Sequence, residues 1–363
     1  MRSKLQALLL FFVGNFLFFV DVNAQRDLPV SKPLFADPIY DGAADPVIIW
    51  NKQEKKWWMF YTARRATMND TTGVKWVHGT RIGIAESKDG RTWAYKDTAS
   101  ISYYPPHIYD KNYSTVNDQS PLSSSAGEGP GVRTFWAPDV IESNGIYHMY
   151  LTYVPGIFSD WKHPRNIVHL TSKDLLNWNA ESTLKLVNDK VIDASVYQLP
   201  DGTWRMWYNN EADGKSIWYA DSKDLYSWTD KGKAIAARGE GPKVFSWKGS
   251  YWLIVDVWKG MDIYQSSDLQ NWKKQATRIL ETGGSGKDDG AIGGHCDVVV
   301  NNDKAYMFYF THPGRTAVNP APASSVAARR SVIQLVELEY KNGELTCDRN
   351  RPAFINLQAG GSN

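Results

Sequence analysis

Ser172-Lys173-Asp174-Leu175-Leu176-Asn177-Trp178 is one of four copies of a single short phrase in this chain. The phrase occurs first as Ser87-Lys88-Asp89-Gly90-Arg91-Thr92-Trp93. It returns as Ser222-Lys223-Asp224-Leu225-Tyr226-Ser227-Trp228 and as Ser266-Ser267-Asp268-Leu269-Gln270-Asn271-Trp272. Its tryptophans stand 85, 50 and 44 residues apart. Ser and Asp side chains bond nearby backbone groups and so build tight turns. A following indole is apolar enough to pin such a turn onto a core. The four copies therefore read as structural punctuation of a repeat, and repeats decide the architecture before any other signal.

Working outward from each copy, the preceding residues form short apolar runs of strand type. The first unit has runs at 46–50, 57–61 and 81–85. The second has 146–151 and 167–170, the third 204–208 and 217–220, and the fourth 251–255 and 261–264. A fifth unit lacks the Ser-Asp-Trp phrase but keeps runs at 297–300, 305–310 and 332–339. Turn pairs such as Asp201-Gly202 and Lys248-Gly249 separate first from second strands, which is a hairpin signature. Helical periodicity is confined to a turn near residues 321–328. The expected fold is all-β: a five-bladed β-propeller with four-stranded blades, whose radial repetition hides sheet edges. The first interval is about 35 residues longer than the next. Its excess, near residues 94–133, is an excursion expected at one rim of the channel.

Composition agrees with strands. The 363 residues include 16 Trp, 19 Tyr and 13 Phe, and aromatic residues favour pleated, half-buried surfaces. Apolar residues make up 42% and charged residues 22%, which excludes a disordered or fibrous chain. Residues 1–24 read as a signal peptide: Arg2 and Lys4, an apolar stretch over 7–20, then Val22-Asn23-Ala24 before Gln25. Residues 25–363 then form a single propeller domain, exported to the periplasm or the medium. No later stretch approaches the ~18 apolar residues of a membrane span. Without the leader, 39 basic residues face 38 acidic ones, so there is no electrostatic footprint for nucleic acid. Cys296 and Cys347 are the only cysteines, too few for a disulfide framework.

The first strand of each unit should line the axis. The unit starts are Ala44-Asp45-Pro46, Phe135-Trp136-Ala137-Pro138-Asp139, Ile192-Asp193-Ala194-Ser195, Glu240-Gly241-Pro242 and Gly294-His295-Cys296-Asp297. An acidic group or a histidine stands near every start. Radial repetition brings such groups together, and crowded carboxylates keep one another protonated. Converging carboxylates suit glycoside cleavage, where one acid protonates the leaving oxygen and another carboxylate activates water or attacks the sugar.

On these motifs, from Asp37 to Tyr340, the chain resembles glycoside hydrolase family 43, five-bladed propellers that cleave with inversion. The resemblance implies Asp45 as general base, Asp193 as the residue that tunes and orients the acid, and Glu240 as general acid. Glu240 is expected to be protonated at rest through Asp193, with about 6.5–9.5 Å between acid and base. The resemblance also matches Trp136 to Asp139 in blade two, and implies that His295 lies beneath the site near a structural calcium ion. It implies no organic cofactor. Phe135, Trp136, Asp139 and Arg330 are expected to bind substrate, Phe135 and Trp136 by stacking. Glu128-Gly129-Pro130 repeats the acid's tripeptide inside the excursion, where no blade start is expected, and ranks below Glu240. Arg64 and Arg65 either meet an anionic sugar or are solvated. The expected protein is a monomeric, exo-acting glycosidase for pentose-containing saccharides, of α-L-arabinofuranosidase or β-xylosidase type. The alternatives are a sialidase-like or other five-bladed-propeller glycosidase and a non-catalytic carbohydrate-binding propeller. The first phrase is similar to the Asp-box of sialidases but one residue short.

Overall fold

A computed structural model describes residues 28–70, 72–101 and 133–359. The expected leader and Glu128 lie outside these residues. Blade one is β1 (Ala43–Asn51), β2 (Lys56–Ala63), β3 (Arg81–Ser87) and β4 (Ala94–Thr98). A two-residue strand, β5 (Ser100–Ile101), follows. Blade two is β6 (Thr134–Ser143), β7 (Ile146–Val154), β8 (Asn166–Ser172) and β9 (Asn177–Thr183). Blade three is β10 (Val191–Gln198), β11 (Trp204–Asn210), β12 (Ser216–Ser222) and β13 (Trp228–Ile235). Blade four is β14 (Glu240–Trp247), β15 (Ser250–Asp256), β16 (Met261–Ser266) and β17 (Lys273–Lys274). Blade five is β18 (Gly293–Asn301), β19 (Lys304–Thr311), β20 (Val332–Lys341) and β21 (Glu344–Cys347). Each blade is an antiparallel meander in sequence order, and its first strand packs against the first strands of its neighbours. The five-bladed propeller is thus the fold.

Two details refine the expectation. The long excursion begins later than residue 94, because β4 completes blade one and β5 pairs in parallel with β9 of blade two. The helical turn is α1 (Val326–Arg329), four residues in the loop between β19 and β20.

The repeated phrase links the third and fourth strands of blades one to four. The Ser172 hydroxyl accepts from the Leu175 amide at 2.9 Å, and Asp174 accepts from the amides of Leu176 and Asn177. The Trp178 indole N–H then closes the turn on the Leu175 carbonyl at 2.8 Å. The residue between them has positive φ in all four copies: Gly90, Leu175, Leu225 and Leu269. Three leucines accept that conformation because their side chains are buried, 0–2% exposed.

Five apolar clusters fill the wedges between successive blades. Fully buried tryptophans dominate them: Trp57, Trp58, Trp207 and Trp252 are at most 1% exposed. The ring closes between blades five and one without strand exchange. Residues 30–35 bond to the backbones of Ala353 and Ile333, while Leu357 bonds to Asp89 and its carbonyl accepts from the Trp57 indole. Both chain ends therefore strap the one junction that no loop covalently spans. Cys296 and Cys347 are free thiols.

Trp178 packs edge-on against Phe60 at 5.8 Å in the wedge between blades one and two. Its replacement by alanine is expected to cost about 3–5 kcal/mol, read as a lower urea midpoint. A cost under about 1 kcal/mol would mean that this wedge is not load-sharing between the blades.

Candidate active site

Every axial strand carries one extra residue at the same height. The register with the second strand slips between Ala44 and Val47, Trp136 and Asp139, Ile192 and Ser195, Glu240 and Lys243, and Gly294 and Cys296. Such bulges bend a strand and re-aim a side chain. The residue inside the bulge is Asp45, Ala137, Asp193, Gly241 and His295 in turn. The first four have φ of 52°, 41°, 58° and 57°, a region that Asp and Gly enter more readily than most residues. Prolines follow at 46, 138 and 242, where the bulge tolerates a missing N–H.

Four of the bulges are held by the blade before them. Thr62 Oγ1 accepts from the Ala137 amide at 2.8 Å, and Thr152 Oγ1 from the Asp193 amide at 3.0 Å. Asp193 Oδ2 accepts from the Gly241 amide at 3.0 Å, and Asp256 Oδ2 from the His295 amide at 2.9 Å. Gly241 has a second reason to be glycine, since a Cβ there would stand 2.7 Å from Cγ of His295. The site is therefore assembled by contacts between blades.

The sequence-predicted residues Asp45, Asp193, Glu240 and His295 lie at this one end of the axis. Asp45 is 4% and Asp193 6% exposed; the Glu240 side chain, at 26%, opens to solvent. Burial, then the charges of Glu240 and Asp45, pushes the Asp193 carboxyl well above the usual carboxylate range. Burial, then Asp256, pushes Glu240 up to about 7. The charged neighbour acting most strongly on Glu240 is thus Asp256, which lies at the end of β15 and was missed in the sequence. Asp256 is itself pushed up to about 6 by burial, with Asp45 adding to it. The one available signal was an acid closing the apolar run Leu253-Ile254-Val255. Glu240 Oε1 accepts from the Trp258 indole at 2.9 Å, and Lys215 Nζ lies 3.7 Å from Oε2.

Asp45 meets a second residue left undecided by the sequence. Arg64 Nη2 lies 2.9 and 3.1 Å from the two Asp45 oxygens, and its guanidinium rests 4.5 Å over Phe310 of blade five. Arg64 Nη1 is 3.2 Å from His312 Nε2. A guanidinium can only donate, so His312 accepts at Nε2 and donates from Nδ1 to the Arg330 carbonyl at 2.7 Å. Burial holds His312 neutral, well below its usual range.

Other predicted residues are placed differently. Phe135 is 2% exposed in the wedge between blades one and two. Trp136 is 9% exposed, its indole N–H bonded to the Val77 carbonyl at 2.6 Å and its ring among His78, Trp161 and His163. The exposed aromatic surfaces come instead from loops between second and third strands: Trp161 at 52% and Trp258 at 36%. Arg330 is matched to Asp41 and to Asp288. Asp139 points to the axis below the bulges, 3% exposed, where it accepts from the Val196 amide at 2.7 Å.

That position matters for the expected calcium ion. Lys243 Nζ stands 2.7 Å from Asp297 and 3.3 Å from Asp139, joining blades four, five and two. The facing carboxylates raise the Lys243 ammonium above its ordinary range, against the pull of burial. Calcium requires six to eight oxygen ligands, and here the axial carboxylates already hold a cation supplied by the chain. His295 offers a nitrogen 3.7 Å from Asp45, and burial keeps its imidazole neutral. Among the described residues no three His, Cys, Asp or Glu side chains form a metal cluster. The carboxylates at the axis are thus matched by Lys243, and His295 stands beside Asp45.

No protein-family model and no curated protein matches the chain. Solved structures do match. A thermostable family-43 glycoside hydrolase is 17% identical, with a TM-score of 0.58 over 91% of this chain and 99% of that one. A family-43 β-1,3-galactosidase with galactodeoxynojirimycin is 14% identical, with a TM-score of 0.57 over 84% and 93%. A calcium-free β-xylosidase/α-arabinofuranosidase from a compost metagenome, in complex with xylotriose, is 15% identical, with a TM-score of 0.56 over 84% and 93%. Likeness at this level of identity establishes a shared fold.

Two outcomes are expected from the charges of this site. Lys243→Met leaves Asp139 and Asp297 without a countercharge and is expected to lose about 3–5 kcal/mol. Millimolar calcium should restore part of that loss, while the wild type is indifferent to calcium and EDTA in thermal melts. A wild type destabilised by EDTA would show instead that a metal shares the axis. Glu240 binds its proton more tightly in the folded protein, so its contribution to stability falls as pH rises from about 4.5 towards 7. Glu240→Gln should therefore melt higher than wild type at pH 8, with the gain shrinking towards pH 4.5. A gain that is equal at both pH values contradicts the raised pKa.

Proposed function

We propose that this chain is an exported glycoside hydrolase of family-43 type that cleaves with inversion. The observation that carries the reading is the electrostatic convergence of Asp45, Asp193 and Glu240. They come from three blades, occupy the bulge or the residue before it, and lie close enough that the charges of Glu240 and Asp45 add to burial in raising Asp193. A carbohydrate-binding propeller has no use for a carboxyl held protonated near neutrality. The fold shared with family-43 enzymes supports the same reading.

In this mechanism Glu240, protonated below about 7, donates its proton to the glycosidic oxygen as the bond to the anomeric carbon breaks. Asp45 takes a proton from a water that attacks the opposite face, so the new hydroxyl has inverted configuration. Arg64 fixes the orientation of the Asp45 carboxylate through its contacts to both oxygens. Asp193 holds the Gly241 amide and thus the backbone that carries Glu240. The Trp258 indole bonds one Glu240 oxygen and leaves the other towards Lys215 and the pocket. The substrate class is a pentose-containing oligo- or polysaccharide attacked from its end, as by an α-L-arabinofuranosidase or β-xylosidase. The enzyme acts as a monomer, in the periplasm or outside the cell, after loss of residues 1–24.

A panel of aryl glycosides tests the proposal. Glu240→Gln and Asp45→Asn should each lower turnover by about a thousandfold or more with the fold intact, and NMR should show the inverted anomer first. Wild-type kcat/KM should decline as pH rises through about 7, where the acid loses its proton. Full activity in either variant, or a retained anomer, would refute the assignment.

A further inference from the structure

Most cations around the Glu240 end of the axis are matched to carboxylates. Arg64 meets Asp45, Arg165 meets Glu211 at 2.6 Å, Arg330 meets Asp41 and Asp288, and Lys215 meets Glu211. Two arginines are different. Arg238 precedes the acid by two residues, is exposed, and lies 4.7 Å over the ring of Trp258. Trp258 in turn bonds Glu240. Arg315, in the loop between β19 and β20, is also exposed and lies 5.6 Å from the ring centre of Trp76. Its Nε donates to the Ala328 carbonyl at 2.7 Å. Among the described residues neither guanidinium has a carboxylate within ion-pair distance.

Their surroundings make the unmatched charge consequential. Arg238 shares Trp258 with the ammonium of Lys215, which lies 5.4 Å from the ring. Burial around its guanidinium, then the like charge of Arg64, pushes Arg315 down to about 10. A group whose charge is disfavoured by its own protein gains most from an incoming anion. Guanidinium forks match carboxylate and sulfate oxygens two at a time. Each tryptophan orients the guanidinium it faces by cation–π attraction. One such fork stands beside the acid Glu240 and the other beside the Arg64 that holds the base Asp45.

We propose that the Glu240 end of the axis recognises a glycan bearing anionic substituents, either sulfate esters or uronate carboxylates, through Arg238 and Arg315. The inference rests on the glycosidase reading for its site and adds the substrate's charge to it.

The test separates the two. Glu240→Gln, which binds without turnover, is run on affinity gels containing sulfated algal polysaccharides before and after desulfation. Parallel gels contain uronate-rich plant polysaccharides before and after carboxyl reduction. The expected result is retention by at least one anionic polymer, lost when its charges are removed. Adding Arg238→Ala and Arg315→Ala together should weaken that retention about tenfold or more. Loss on desulfation identifies sulfate as the ligand; loss on carboxyl reduction identifies uronate. The proposal is overturned if no anionic polymer retards the protein, or if removing charge from polymer or protein leaves retention unchanged. Wild-type hydrolysis of neutral aryl glycosides is scored independently. Cleavage without charge-dependent retention defeats this inference alone, and retention without any cleavage defeats the glycosidase reading alone.

Discussion

One extra residue in each axial strand, repeated at one height around the ring, is the constraint on which the site depends. A regular strand would alternate its side chains between the two faces of its blade. The bulge breaks that alternation and turns Asp45, Asp193 and His295 into the pore. Because Thr62, Thr152, Asp193 and Asp256 hold the bulge of the following blade, the carboxyl positions are set by blade packing. The tryptophan-filled wedges thereby reach the chemistry. A blade that tilts in its wedge also moves a carboxyl.

A second ring of side chains, one turn of the pleat below, keeps the pore closed. Asp139, Ser195 and Asp297 each accept an amide of the next blade, from Val196, Val244 and Ile48 respectively. Lys243 fills the centre. Its ammonium neutralises two buried carboxylates that would otherwise repel. The upper ring, by contrast, carries more acid than base. Arg64 matches Asp45, while Asp193, Glu240 and Asp256 are crowded with little compensation, so protons take the place of counterions. That contrast separates a charge-balanced ring from an acid-crowded one along the axis.

Much of this was legible in the sequence. The Ser-Asp-Trp phrase and the paired apolar runs carry local turn and strand chemistry, so blade number and strand order followed from them. Three of the five blade starts carry an Asp-Pro, Ala-Pro or Gly-Pro step, because the bulge demands unusual φ and spares an N–H. Asp45 and Glu240 could be picked out with that step, and Asp193 by its place at a blade start. Asp256 and Arg64 were harder, because both sit at second-strand ends where nothing local distinguishes a pore-facing charge from a solvated one. Phe135 and Asp139 adjoin the bulge in sequence, yet the pleat sends one into the wedge and the other below the site. The exposed Trp161 and Trp258 lie in loops, whose course no periodicity encodes. Lys243 was missed for a related reason: it reads as an ordinary strand lysine until the ring closes and places Asp139 and Asp297 beside it.

The central claim is that burial and the neighbouring Asp256 hold Glu240 protonated near neutrality. A carbon-13 carboxyl NMR titration of Glu240, in the wild type and in Asp256→Asn, measures this directly. The account predicts a midpoint of about 7 in the wild type and a lower one in the variant. A midpoint near the ordinary glutamate value of about 4.3, unmoved by the substitution, would contradict it.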